Sequence, residues 1–447
     1  MSVNLGIVSY RPSWIGEKLF RGMSFAAYVR SLLTPFNIIA ALVWLPGFIL
    51  VLMRYAFGLG AVMSGSNEYP WGLFISYGLL CGVPFASTGF IMATAYHLFG
   101  MKAYHPLVRL GILTGFLGYF FAVCFLLIDL GRPWRLPYPM FVSFGTASVL
   151  FLVAWHVALY LSTQLLEFCP AIFEWLGFER CQQWVTRITV GATIFGVILS
   201  TLHQSALGAL FLLMPGKVHP LWYTPNLPVF FFVQSIYAGL SVMILVSSLC
   251  RRFLKNQTDG QFTSNLDNLL FGLAKAAALV LFSYYSLKLL AVAHENEWYL
   301  LVTPYGYLFL TEIILFVFMP CYLYVYGVRY KNVKVVQLTS VLSMVGVVFS
   351  RFNISIIGFN WTLPNLEIPG WKEFAIAITI LTTAVLVFRW IVSHMPVLRE
   401  FQEHDLRLVQ AETRKMVERT SPRPLPGIAY YSEDVGEVSA GVNPSTE

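Results

Sequence analysis

Ionisable and amide side chains interrupt several of the long apolar stretches in this sequence. His203, Gln204 and Ser205 are consecutive inside one stretch, and Glu312 and Arg351 each lie inside another. A charged group in hydrocarbon costs about 3 kcal/mol or more, so such groups usually face a cavity or a partner. An acid, a base and amide donors around a mostly apolar cavity suit a quinone, because its ring needs apolar walls and its carbonyls need hydrogen-bond donors and, on reduction, protons.

The elements that must position these residues follow from the composition. Of the 447 residues, 57% are hydrophobic and 11% are charged, whereas soluble domains carry about 25% charged residues. Lipid must therefore be the solvent for most of the chain. The net charge of +7 does not indicate a nucleic-acid partner, because the basic residues fall in short loops between apolar runs, which is the pattern that orients a membrane protein.

Ten apolar runs are long enough to cross a bilayer, which takes about 20 residues of helix. They predict an all-α, polytopic transmembrane helix bundle with spans at 34–57, 71–98, 107–129, 143–166, 185–213, 228–250, 268–291, 305–326, 335–357 and 373–394. We expect a cytoplasmic N-terminal segment (1–33), a transmembrane domain (34–395) and a cytoplasmic tail (396–447). The tail should be largely disordered, since its end is rich in Pro, Ser, Gly and acidic residues.

The distribution of Lys and Arg orients the spans. The N-terminal segment, the tail and alternate loops hold most of them, including Arg11, Lys18, Arg21, Arg30, Lys102, Arg180, Arg251, Arg252, Lys255, Arg329, Lys331 and Lys334. The remaining loops hold Arg132, Arg135, Lys217 and Lys372. Cytoplasmic segments carry the excess of basic residues, so we expect both termini in the cytoplasm. This orientation concentrates the intramembrane polar residues in the outer half of the membrane.

A quinone site is therefore expected in the outer half, bounded by the second, third, fifth and ninth spans. The residues predicted to be catalytic are His203, Asp129, Arg351 and Glu312, with Glu312 as a proton carrier. The residues predicted to bind the quinone are Trp71, Gln204, Ser205, Asn353 and Lys288. His203 can both donate and accept a proton near neutral pH, so it is expected to hydrogen-bond one quinone carbonyl.

These residues also have structural interpretations. Lys288 could snorkel to the interface, and the outer tryptophans could form only an aromatic belt. Glu312 and Arg351 could form a structural ion pair. Two other functions stay open: a secondary transporter, although transporter sites usually lie near the midplane between broken helices, and a purely structural membrane anchor of a redox complex.

The metal-ligating residue types do not form a metal site in the sequence. The six cysteines include no Cys-x-x-Cys pair, so neither an iron–sulfur cluster nor a structural zinc is expected. A b-type haem needs two axial ligands at matching depth, and His97, His156 and His203 fall at three different depths in their spans. We therefore expect no haem in this chain.

Several ordered motifs resemble those of the NrfD/polysulfide-reductase membrane-subunit superfamily, and within it the HybB-type subunits of periplasmic nickel–iron hydrogenases. The motifs are Tyr69-Pro70-Trp71-Gly72, His105-Pro106-Leu107-Val108-Arg109, Asp129-Leu130-Gly131-Arg132, Thr201-Leu202-His203-Gln204-Ser205, Lys217-Val218-His219-Pro220-Leu221-Trp222 and Arg351. The similarity runs from about residue 55 to about residue 395.

The resemblance implies a haem-free, menaquinone-reactive subunit in the bacterial cytoplasmic membrane. It implies an extracytoplasmic ferredoxin-like subunit with iron–sulfur clusters, which exchanges electrons with a catalytic subunit or a multihaem cytochrome, and it allows for proton translocation. Because this chain has no redox metal of its own, the partner's last cluster must come close to the quinone. The residues expected to contact that partner are Arg132, Lys217, His219 and Trp222.

Overall fold

A computed structural model describes residues 14–258 and 260–398. Ten of the described helices are long and apolar enough to cross a membrane, and we number them α1 to α10: Pro35–Phe57, Phe74–Leu98, Lys102–Asp129, Val149–Leu176, Glu179–Leu212, Leu227–Phe253, Gly260–His294, Pro304–Arg329, Val333–Ile357 and Trp371–His394. Two short helices, Trp14–Phe20 and Phe25–Leu32, precede α1. The all-α prediction with ten spans is confirmed. Most of the predicted tail lies outside the described residues.

The fourth and seventh spans differ most from the predicted boundaries, and the seventh, expected at 268–291, is Gly260–His294. The fourth span was expected at 143–166, but α4 is Val149–Leu176. The Ser148 hydroxyl caps its start by accepting a hydrogen bond from the amide of Phe151 at 3.5 Å, and Gly177 ends it in a left-handed conformation at φ 83°. The Ser148 cap and Gly177 therefore determine where α4 begins and ends. Hydropathy indicates only the portion of the helix that lies within the hydrocarbon.

The spans form two groups of four helices and an outer pair. Neighbours α2 to α5 pack together, as do α6 to α9, and α6 joins the groups by contacting both α5 and α2. The outer pair, α1 and α10, pack against each other, and α10 also packs on α3. This arrangement places α2 on the side of its group that faces the second group, so that α5 of its own group and α6 and α9 of the second group all contact it.

Irregular backbone interrupts three spans close to their polar residues. In α2, π-helical turns at Phe74–Leu79 and Thr94–Leu98 flank short α-helical segments. In α8 and α9, π-helical turns occur at Ile314–Phe318 and Asn353–Ile357, directly after Glu312 and Arg351. Such turns are frequent at functional sites, and at membrane depth they require other protein groups to satisfy the backbone.

Successive spans cross in alternate directions, which gives the bundle two faces. The basic face carries residues 14–34, 99–101, 177–178, 254–258, 330–332 and 395–398. The opposite face carries residues 58–73, 130–148, 213–226, 295–303 and 358–370. Two segments of the opposite face are joined by an isolated antiparallel bridge between Val218 and Phe359, so this face has an ordered cover over the spans.

Candidate functional site

Glu312 is the centre of a buried polar cluster. Its carboxylate, on a side chain that is 1% exposed, accepts hydrogen bonds from the indole of Trp222 at 2.8 Å, the hydroxyl of Ser350 at 2.8 Å and the amide of Asn353 at 2.9 Å. The ammonium of Lys288 lies 3.6 Å from the same carboxylate. These four donors come from α7, α9 and the opposite-face segment 213–226, so Glu312 joins three parts of the chain.

This geometry differs from two of the interpretations considered for the sequence. Lys288 is buried and pairs with Glu312, so it does not snorkel to the interface. Its ammonium also lies 5.4 Å from the ring centre of Phe230 and 5.5 Å from that of Phe309. The ion pair of Glu312 is with Lys288 and not with Arg351, and the sequence alone does not show that Lys288 comes to Glu312 from the preceding span.

Arg351 is buried without a matching set of acceptors. Its guanidinium carbon lies 3.3 Å from the ring centre of Phe231, and its Nε and Nη2 atoms have no hydrogen-bond partner. Cys81, Tyr237 and Tyr284 are among the groups that interact with it electrostatically. Buried donors without acceptors are costly, so this guanidinium has hydrogen bonds to offer to a ligand.

His203 is the centre of a second cluster with unpartnered polar atoms. The imidazole is fully buried, and neither ring nitrogen has a hydrogen-bond partner. The ring of Tyr119 lies 5.6 Å away, and its hydroxyl is also without a partner, as is the hydroxyl of Ser200. The buried imidazole and the two hydroxyls are therefore able to form hydrogen bonds with a polar ligand.

Gln204 connects this second cluster to α2. Its amide nitrogen donates to the carbonyl of Val83 at 3.1 Å and to the hydroxyl of Ser87 at 3.2 Å. The Val83 carbonyl belongs to the irregular part of α2, where the regular helical hydrogen bonds are interrupted. The side chain of Gln204 supplies a hydrogen bond to this carbonyl instead. Its neighbour Ser205 is half-buried. Gln204 thus positions α2 against α5, while Arg351 reaches the Cys81 region of α2 from α9.

Asp129 belongs to a third group, at the end of α3. One carboxylate oxygen has no hydrogen-bond partner, and the charged residues near it are Arg54 and Glu373. Arg54 donates to the carbonyl of Ile128 at 2.5 Å, and Glu373 accepts from the amide of Leu73 at 2.8 Å. The structure therefore groups Asp129 with α1 and α10, whereas the ionisable neighbour of His203 is His156.

Aromatic side chains link the opposite face to Arg351. Trp71 is half-buried, and its ring centre lies 5.2 Å from that of Phe211 and 5.4 Å from that of Phe359. Phe211 in turn lies 5.6 Å from Phe231, the ring on which the Arg351 guanidinium rests. Trp71 and Arg351 are thus at two ends of one continuous apolar wall, as expected for a site that takes a flat, apolar molecule.

The four residues predicted to contact a partner divide into two pairs. Arg132 and Lys217 are exposed on the opposite face, whereas His219 is 2% exposed and Trp222 is 1% exposed. The ring of His219 lies 4.6 Å from that of Tyr305, and burial lowers the pKa of His219 to about 4. His219 is therefore neutral at neutral pH, and neither it nor Trp222 presents a contact on the surface of the chain.

A small cavity lies between the Glu312 cluster and the opposite face. Its volume is about 10 Å³, and its lining includes Lys288, Trp222, Glu295 and Glu297. A cavity of this size holds roughly one water molecule. Burial, and secondarily the charge of Glu295, raise the pKa of Glu297 to about 6. A carboxyl group that titrates close to neutrality thus stands at the mouth of this cavity.

Sequence reasoning missed several residues of these clusters. Tyr119 lies inside a predicted span, but a tyrosine there is not distinguishable from the many aromatic residues of the bundle. Arg54 and Glu373 fall near predicted span ends, where charged residues usually mark the interface. Within the described part of the chain, no group of three or more His, Cys, Asp and Glu residues could hold a metal ion.

The sequence matches one family model and several known proteins. A family model described as "Polysulphide reductase, NrfD" matches residues 61–362. A relative from Nitratidesulfovibrio vulgaris, named only "Protein", is 45% identical over 384 residues, which cover 86% of this chain and 99% of the relative. The "Probable Ni/Fe-hydrogenase 2 b-type cytochrome subunit" of Escherichia coli is 29% identical over 361 residues, 80% of this chain and 91% of that protein. A selenate reductase subunit of Mesobacillus selenatarsenatis is 24% identical over 232 residues, 44% and 52% of the two chains.

Proposed function

The chain belongs to the NrfD family, and we propose that it is the quinone-reactive membrane subunit of a respiratory redox complex in the bacterial inner membrane. It exchanges electrons between an extracytoplasmic iron–sulfur partner and the menaquinone or quinone pool. Relatives named as subunits of a hydrogenase and a selenate reductase support a redox complex. The observation that carries the proposal is the fully buried His203, whose two ring nitrogens lack protein partners beside the free hydroxyl of Tyr119.

The unpartnered donors fit the carbonyl groups of a quinone. When bound, the quinone supplies a couple of two electrons and two protons. A ring nitrogen of His203 binds one carbonyl, and the Tyr119 hydroxyl donates a second hydrogen bond. Arg351 offers two free donors on the other side of α2. Trp71 forms the apolar wall toward the opposite face.

Other residues position these groups. The amide nitrogens of Gln204 and Asn353 already have partners in Ser87 and Glu312, so they hold α2 and the Glu312 cluster in place. Lys288 balances the charge of Glu312. We also propose that Glu312 exchanges protons with the opposite face through the small cavity that Glu297 borders. Asp129, Arg54 and Glu373 together hold the end of α3 beside Leu73.

The basic face is proposed to be cytoplasmic, so the opposite face meets the partner. Arg132 and Lys217 are exposed there and are the proposed partner contacts, whereas the buried His219 and Trp222 support the surface from below. The chain is proposed to hold no haem, although one relative is named a b-type cytochrome subunit. An absorbance spectrum of the purified chain with stoichiometric haem bands would contradict this.

The test is quinone-linked turnover of the assembled complex carrying His203→Ala. A positioned acid–base group contributes roughly 10²–10⁴-fold to rate, so we expect turnover to fall at least about a hundredfold with assembly intact. His97→Ala is the matched control, because His97 is a half-buried histidine near the basic face. Asp129→Asn, made separately, should also lower turnover. Normal turnover in both His203→Ala and Asp129→Asn would favour a purely structural anchor.

A further inference from the structure

A groove of about 520 Å³ lies between α7 and α8 on the outside of the bundle. Its floor includes Ala278 and Cys321, whose thiol lies 3.4 Å from the Ala278 carbonyl. Its walls include Leu279, Phe282 and Val325, which are 68%, 61% and 52% exposed. Apolar side chains that are this exposed on a membrane span contact lipid. The volume of the groove falls within the range of about 300–1,000 Å³ that is typical of ligand sites.

Two basic residues stand at one end of this groove. Lys275 and Arg329 both line it and both are exposed. Because α7 and α8 run in opposite directions, these residues lie at the end of the groove that is nearer the basic face. Within the described residues, neither side chain has an ion pair or a hydrogen bond. Asp267, two turns earlier on α7, pairs with Arg251 instead.

We propose that this groove binds an anionic glycerophospholipid, with its phosphate group between Lys275 and Arg329 and one acyl chain against Leu279, Phe282 and Val325. The apolar walls would accept any hydrocarbon chain, but a neutral quinone tail or an apolar helix would leave both cations without a counter-charge. Basic pockets between transmembrane helices bind anionic lipid headgroups in this way. The inference does not depend on the proposed quinone site.

The test is native mass spectrometry of the full-length chain, released from detergent after exchange with equimolar phosphatidylglycerol and phosphatidylcholine of the same acyl chains. We expect one retained phosphatidylglycerol. The double variant Lys275→Gln/Arg329→Gln should bind it about thirtyfold more weakly, which corresponds to about 1 kcal/mol for each basic residue. The matched control is Arg252→Gln/Lys334→Gln, which removes two exposed cations of the basic side that do not line the groove, and it should bind as the wild type does.

A third variant tests the groove itself. Val325→Trp places a bulky ring in the groove and should reduce lipid retention without lowering the thermal unfolding temperature, since Val325 is an exposed wall residue. Equal retention of the two lipids, retention of a quinone in place of the phospholipid, or the same loss in the control double variant would overturn the proposal.

Discussion

Buried charge in this chain is compensated unevenly from residue to residue. Glu312 has four donors around it, including Lys288 at 3.6 Å. Arg351 rests on an aromatic ring with two donor atoms unused. Removing one partner of a satisfied pair is strongly destabilising, because it leaves an uncompensated buried charge. Donors without acceptors cost stability in the unliganded chain and are available to a ligand.

Glu312→Gln separates the structural role of this residue from its proposed proton exchange. Removing the carboxylate charge leaves the buried Lys288 without its partner, which should destabilise the chain by about 3–5 kcal/mol. Lys288→Met in the same chain should restore most of that stability, because it removes the uncompensated cation. Thermal unfolding of the two variants measures this difference.

The restored double variant then tests proton exchange alone. If Glu312 moves protons, the Glu312→Gln/Lys288→Met complex in vesicles should be stable yet lose charge movement coupled to quinone turnover. A Glu312→Gln complex that keeps both turnover and charge movement would show that this residue carries no proton and serves only the packing of α7, α8 and α9.

At the residue scale, the sequence identifies which side chains are unusual but not which ones meet. Burial of Glu312 and Arg351 could be anticipated, since a charged residue inside an apolar run has few alternatives. Their partners could not, because the contact of Lys288 with Glu312 depends on how α7 packs beside α8. The same limit applies to Asp129 and His203. The number of residues between them does not show how α3 is rotated about its axis, and so it does not show that Asp129 lies with α1 and α10.

At the scale of elements, α2 is the span on which the proposed site depends. It is broken into π-helical and α-helical turns and lies between Gln204 of α5 and Arg351 of α9. Ten apolar runs were enough to predict the spans, because hydropathy reports the bilayer crossing directly. Pro84, inside the predicted span, lacks an amide hydrogen and disfavours a continuous helix, but the places of the two π-helical turns do not follow from periodicity.

Gly115→Val tests whether the close contact of α3 with α2 holds the site together. A Cβ at Gly115 would lie 2.9 Å from both the Ala86 carbonyl oxygen and the Gly89 amide nitrogen, so the two helices must separate. Overpacking of this kind costs roughly 1–3 kcal/mol, and it displaces Tyr119, one turn further along α3.

The expected result is a lower thermal unfolding temperature together with reduced quinone-linked turnover of the assembled complex. Gly191→Val is the matched control, because a Cβ at that helical glycine meets no atom within 4 Å. If Gly115→Val behaved as Gly191→Val does in both measurements, the packing of α2 on α3 would not determine the site.

At the scale of the whole molecule, the proposed orientation determines the direction of the proposed electron path. A quinone bound beside His203 and Arg351 would exchange electrons with the proposed iron–sulfur partner, so the two must lie close together. Trp71 and the exposed Arg132 and Lys217 lie toward the opposite face. An extracytoplasmic partner therefore requires that this face be outside the cytoplasm.

Reporter fusions test this orientation. A fusion after Pro215, in an opposite-face loop, should report an extracytoplasmic location, and one after Asn256, in a basic-face loop, should report a cytoplasmic location. The physical reason is the excess of Lys and Arg on the basic face. The reverse pattern would place the proposed quinone site in the cytoplasmic half and remove its access to the partner.

The central claim is that a quinone binds this chain beside His203, and photoaffinity labelling tests it most directly. The assembled complex would be irradiated with an azido-substituted menaquinone analogue, and the labelled peptides would be mapped. We predict labels in α2, α3 or α5 within about two helical turns of His203, suppressed by excess menaquinone and reduced by His203→Ala. Labelling confined to the basic-face half of the bundle, or to a partner protein alone, would contradict the account.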